Sequence, residues 1–177
     1  MKFLSLILTL SINLIWLQSN EPSTHLSLIK ESEHKFIEQV REKYGLKYLG
    51  SGGGLEPKVC ALVIDLEYCN QHILSKNELR KLLVDLTELY LQEINRNSEL
   101  LPYLEVYPFT PNDVWIGVSL YSAKRKMNLF PDYTAASSCY GRLRFLSNDE
   151  FTPIGTHKVV EEETYEEAIR KINEGQL

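Results

Sequence analysis

The sequence predicts an α+β domain: a mainly antiparallel sheet of about four strands packed by one long helix, with additional N- and C-terminal helices. Three observations point to it. Leu79, Leu82, Leu83, Leu86, Leu89, Tyr90 and Ile94 recur at intervals of three and four, with Arg80, Lys81, Asp85, Glu88, Gln92 and Arg96 opposite them, which is the stripe of an amphipathic helix. Residues 59–68 and 114–121 alternate apolar and other side chains, the period of a half-buried strand. Ser75 with Glu78, and Thr164 with Glu167, have the spacing of a capping box, in which the hydroxyl accepts from the backbone three residues on while the carboxylate reaches back.

Taken in order, the chain begins with Lys2 and an apolar run over residues 3–17, broken only by Ser5, Thr9, Ser11 and Asn13. This is the pattern of an export signal, and it falls short of the roughly 20 apolar residues that span a bilayer. Residues 1–19 are therefore expected to be a signal peptide or, if uncleaved, a signal anchor. Residues 27–44 repeat Ile29, Phe36, Ile37, Val40 and Tyr44 at helical spacing, and Gly45 supplies a stop. Gly50, Gly52, Gly53 and Gly54 follow. A phosphate loop would need Gly-Lys-Ser/Thr running into a helix, and here Lys58 stands alone before a strand. Residues 20–57 are thus expected to form a helix and a Gly-rich hinge, with the α+β domain over 58–177.

The strand at 59–68 places Cys60, Leu62, Ile64, Leu66 and Tyr68 on one face and ends in Asp65 and Glu67 on the other. The long helix spans 75–97, and the segment to Pro111 carries three X-Pro steps that disfavour helix. The strand at 114–121 puts Val114, Ile116, Val118 and Leu120 on one side, with Trp115, Gly117, Ser119 and Tyr121 on the other. Lys124, Arg125 and Lys126 read as a solvated turn. A third strand at 138–146 points Cys139, Leu143 and Phe145 inward and Tyr140, Arg142 and Arg144 outward. After a turn at 147–150, a short strand at 157–162 leads into a helix with Ala168, Ile169 and Ile172 on its apolar side.

The 177 residues carry 19 Lys and Arg against 24 Asp and Glu, a net charge of −5, so no positive field is present to hold a nucleic-acid backbone. Cys60, Cys69 and Cys139 are an odd number, which permits at most one internal disulfide and does not fix its pairing. Cys69 and His72 make half of a zinc site. His25, His34 and His157 are scattered, so no ligand set of four is spelled out. The sequence presents neither a metal site nor a cofactor motif.

The GSGGG loop, the residues Leu101-Pro-Tyr-Leu-Glu-Val-Tyr-Pro-Phe-Thr-Pro111 leading into Val114-Trp-Ile-Gly-Val118, and Glu163-Thr-Tyr-Glu-Glu-Ala168 together resemble a small family of uncharacterised exported bacterial proteins. Pro102, Tyr107, Pro108 and Phe109 are the most specific part. The resemblance carries over no activity and no catalytic residues, and the expectation of export rests on residues 3–17.

Three functions compete. In the first, the chain is a non-enzymatic interaction module outside the cytoplasm (periplasmic, envelope or secreted). Its binding face would combine Trp115, Tyr121, Tyr140, Arg142 and Arg144, residue types enriched at binding hot spots, and would take another protein or an envelope component. A terminal helix lying over this face would turn Trp115 into core. In the second, Asp65 and Glu67, two apart on one strand face, are the carboxylate pair of a small hydrolase. In the third, the long helix over a curved sheet encloses a lipid or small ligand. Membrane contact is expected only through residues 3–17.

Overall fold

The computed structural model describes residues 24–175 apart from 56, 125, 129–131 and 149–156. The export segment, Arg125 of the basic run and part of the 147–150 turn lie outside the described residues. The elements run α1 (Thr24–Tyr44), β1 (Lys47–Gly54), β2 (Ala61–Asn70), α2 (Lys76–Arg96), a 3₁₀ turn (Leu101–Tyr103), β3 (Val114–Ser122), β4 (Ala135–Cys139), β5 (Arg142–Ser147), β6 (Lys158–Thr164) and α3 (Tyr165–Asn173). The strands form one sheet in chain order, β1-β2-β3-β4-β5-β6. Every pairing is antiparallel except β2 with β3. That parallel step needs a crossover, which α2 provides.

The expected four-strand, mainly antiparallel sheet under one long helix is therefore corrected to a mixed sheet of six strands under three helices. Two local causes account for the difference. The glycine-rich segment is the edge strand β1, in full register with β2 from Gly50↔Asp65 to Gly54↔Ala61; backbone ladder bonds hold it, so absent side chains did not prevent pairing. The single strand expected at 138–146 is a hairpin, because Tyr140 (φ 50°) and Gly141 (φ 67°) make a two-residue turn with both central residues left-handed.

The helices begin and end for local reasons. The Ser75 hydroxyl accepts from Glu78 N–H while Glu78 accepts from Ser75 N–H, and Thr164 and Glu167 repeat the arrangement at α3. Gly45 closes α1 in the left-handed region, its N–H donating to the Arg41 carbonyl. All three helices pack on one face of the sheet. Phe36 and Val40 from α1, the α2 leucines, Leu62, Ile64, Leu66, Ile116, Val118, Ala136, Leu143 and Phe145 from the strands, and Tyr165 and Ala168 from α3 form one buried cluster. The Phe36 and Tyr90 rings meet at 4.9 Å between centroids. Buried Glu33 of α1 accepts from Ser51 of β1 at 2.9 Å and from Tyr90 of α2 at 3.3 Å, tying three elements together. Burial raises its pKa, against the pull of the Ser51 and Tyr90 hydrogen bonds.

At the other end of the layer, the edge strand β6 is joined to the helices by charge. Arg80 of α2 and Glu163 of β6, both buried, meet through two hydrogen bonds of 2.5 and 3.1 Å. Lys171 of α3 also donates to Glu163, and Lys76 and Tyr133 to Glu161.

The hairpin turn carries a test of its own. A Cβ on Gly141 would stand 2.4 Å from Asn112 Oδ1, in addition to its positive φ. Gly141→Ala is expected to cost about 1 to 3 kcal/mol, read as a lowered urea midpoint with unchanged slope. An unchanged midpoint would show that the turn relaxes freely.

Candidate functional site

The face of the sheet opposite the helices is uncovered by any described element. Cross-strand register arranges it in rows, because paired residues share a face. One row reads Gly52, Val63, Trp115, Cys139, Arg142 and Thr164. The next reads Gly50, Asp65, Gly117, Ser137, Arg144 and Glu162, and the third begins Lys47, Glu67, Ser119 and Ala135. Most of these side chains are small or polar, as a face turned to water requires. Trp115 is the large exception, 41% exposed.

Register thus brings Trp115, Arg142 and Arg144 to one end of this face, with only Cys139 and Ser137 between the strands that carry them. Tyr121 lies on the same face two rows beyond Gly117, opposite Cys69. Tyr140 projects from the hairpin turn, 65% exposed.

The two arginines share one carboxylate that the sequence did not single out. Glu162 Oε1 accepts from Arg142 Nε at 2.5 Å and Oε2 from Arg144 Nε at 2.7 Å. These bonds, Arg144 foremost, hold the Glu162 carboxyl below its usual pKa. Two guanidiniums against one carboxylate leave one positive charge unmatched on the β5 side of this face, with Asp65 the carboxylate on its β2 side. Both are engaged through Nε, and among the described residues their terminal nitrogens have no acceptor. Those nitrogens are the fork that matches a carboxylate. The run Glu161-Glu162-Glu163 was the available signal: alternation sends its middle member to the open face and its neighbours to the helix side.

The cysteines need correction. Cys60, expected on the inward face of a strand, precedes β2 and is exposed. Cys139, expected inward with Leu143 and Phe145, is on the open face opposite Trp115 and is nonetheless buried. Burial raises its thiol pKa, and Arg144 pulls the other way. All three thiols are free. Cys69 Sγ donates to the Ser122 carbonyl, whereas His72 Nε2 meets Glu78 at 2.8 Å, so the Cys-x-x-His pair does not converge.

Asp65 and Glu67 do share the open face. The Asp65 carboxylate lies across Gly117, where a Cβ would meet Oδ1 at 2.3 Å. Glu67 is buried, 3.5 Å from Lys47 Nζ. No described helix is long and apolar enough to cross a membrane, and no group of three or more His, Cys, Asp or Glu that could hold a metal occurs among the described residues. Compared with known proteins, the chain matches no family model, no curated protein and no solved structure.

Proposed function

We propose that the chain is an exported, non-enzymatic interaction module whose open sheet face docks a protein segment carrying carboxylates beside an aromatic or aliphatic side chain. The observation that carries this reading is Trp115, exposed on a face that no described element covers, in one row with Arg142 and next to the row of Arg144, two guanidiniums whose terminal nitrogens have no acceptor among the described residues. A tryptophan beside arginines combines apolar area with directional donors, the composition of a binding hot spot. Arg142 and Arg144 lie on the β5 side of the face and Asp65 on the β2 side, so a partner's carboxylates are directed to the arginines and its orientation is fixed. Export rests on the apolar segment at residues 3–17.

Selection of a displayed random-peptide library on the full chain tests this. Enriched peptides are expected to carry Asp or Glu next to an aromatic residue. Their affinity is expected to fall by at least about tenfold in Trp115→Ala and in Arg142→Gln/Arg144→Gln, equivalent to about 1.4 kcal/mol. All three positions are partly exposed, so the melting temperature should barely move. Peptides without acidic bias, or peptides that bind the double variant as tightly, would overturn the proposal.

A further inference from the structure

The two edges of the sheet are defended differently. β6 closes one side with Lys158, Glu161 and Glu162 exposed along it, and charged side chains are what keep an edge strand from pairing with another chain. β1 has no such guard. It reads Lys-Tyr-Leu-Gly-Ser-Gly-Gly-Gly, and its one charge, Lys47, stands at the first position with Nζ 3.5 Å from Glu67 Oε1. Among the described residues no strand pairs with its outer side. A bulge interrupts β1 between Tyr48 and Gly50, but residues 50–54 run in unbroken register with β2. A Cβ added to Gly50 or Gly52 would meet nothing within 4 Å, so the space over this stretch is open.

The strand is also lopsided. Its first half carries Tyr48 and Leu49, 43% and 51% exposed, and its second half carries Gly52, Gly53 and Gly54, which have no side chain. Beside the glycine half a cavity of about 140 Å³ lies between α1 and β1, with Leu26, Ile29 and Leu55 among its walls. Two copies of such a strand complement each other when they run antiparallel, because a two-fold axis then sets the bulky half of each beside the glycine half of the other. Apolar side chains next to glycines shield bare backbone from water. The two Lys47 side chains fall at opposite ends of the pair, so no like charges meet.

We infer that β1 pairs antiparallel with β1 of a second copy, joining the two six-stranded sheets into one. A foreign extended segment is selected by pockets for its alternate side chains, and a strand of glycines lines no row of them. The second copy brings the matching bulky half instead. Pairing uses up the undefended edge in both copies, so the assembly closes at a dimer. Its axis is perpendicular to the sheet, which places the helices of both copies on one side and both open faces on the other. The inference is independent of what the open face binds.

Analytical ultracentrifugation of the full chain over a range of concentrations tests it, with a reversible monomer–dimer equilibrium expected. Gly50→Lys/Gly52→Lys should weaken the dimer by at least about tenfold, because lysine on an edge opposes pairing, and both positions have room for a side chain. Val160→Lys puts the same charge on the exposed part of β6 and should leave the dimer intact. Amide hydrogen exchange on the unsubstituted chain gives a readout that needs no variant to fold: β1 amides should exchange more slowly at high protein concentration than at low. A chain that stays monomeric throughout, β1 exchange that does not change with concentration, a folded Gly50→Lys/Gly52→Lys protein that dimerises as tightly, or a dimer lost in Val160→Lys would each overturn the inference.

Discussion

Glu163→Gln should destabilise the fold by about 3 to 5 kcal/mol, the usual cost of removing one partner from a buried ion pair. Glu163 is the anion that faces both Arg80, itself only 3% exposed, and Lys171. Without it, Arg80 is left in the interior with Asn77 as its hydrogen-bond partner among the described residues and the more distant Glu161 as a countercharge. The expected result is a large drop in denaturation midpoint. The double variant Arg80→Met/Glu163→Leu should recover much of the loss, since replacing a buried pair with apolar side chains is often neutral or better. A double variant as unstable as the sum of the single variants would show that shape, not charge, holds β6 in place.

The same carboxylates set the acid limit. Burial alone would raise the Glu163 pKa, but hydrogen bonds from Arg80 and Lys171 outweigh it and the value is lowered; Glu161 is lowered chiefly by its hydrogen bonds from Lys76 and Tyr133. A depressed folded-state pKa adds stability that is fully present above the unfolded carboxylate's range. That stability is lost as pH falls through the folded value. The acid unfolding of Glu163→Gln should therefore be shallower than that of the unsubstituted chain.

Phe36→Ala should cost about 3 to 5 kcal/mol in a single cooperative transition. Phe36 is fully buried against Tyr90, although it belongs to the segment that the sequence sets apart from the sheet by a glycine-rich hinge. With β1 paired to β2, and Glu33 bonded to both Ser51 and Tyr90, α1 is built into the core. Unfolding followed by Trp fluorescence and by far-ultraviolet circular dichroism should shift together. An early, separate loss of helical signal would show instead that α1 unfolds as an arm.

The sequence displayed elements whose side chains carry the pattern. The leucines of α2, the alternation of β2 and β3, and both capping boxes stand where spacing placed them. β1 escaped because four of its residues have no side chain to alternate; its position depends on main-chain groups of β2, which no local pattern reports. The β4–β5 hairpin escaped because its turn is Tyr-Gly and not Asn-Gly, so aromatic Tyr140 disguised a left-handed position. Reading one strand through that turn carried the parity of Leu143 and Phe145 across to Cys139 and put the thiol on the wrong face. At the candidate site, alternation placed Trp115, Tyr121, Arg142 and Arg144 outward. Glu162 between the arginines is a product of β5–β6 register, which depends on where the preceding loop returns.

Because strand order in the sheet equals order in the chain, each strand is added beside the one made before it. The sheet can grow from one edge as the polypeptide is synthesised, without waiting for a distant partner. Arg80 has to wait longer, since Glu163 lies 83 residues later. Until β6 docks, that guanidinium must keep its hydration, and water must stay under the end of α2. Placement of the last strand is thus the step that dries this end of the molecule, and a chain stopped before residue 163 would retain a wet, loosened α2 however complete its first five strands.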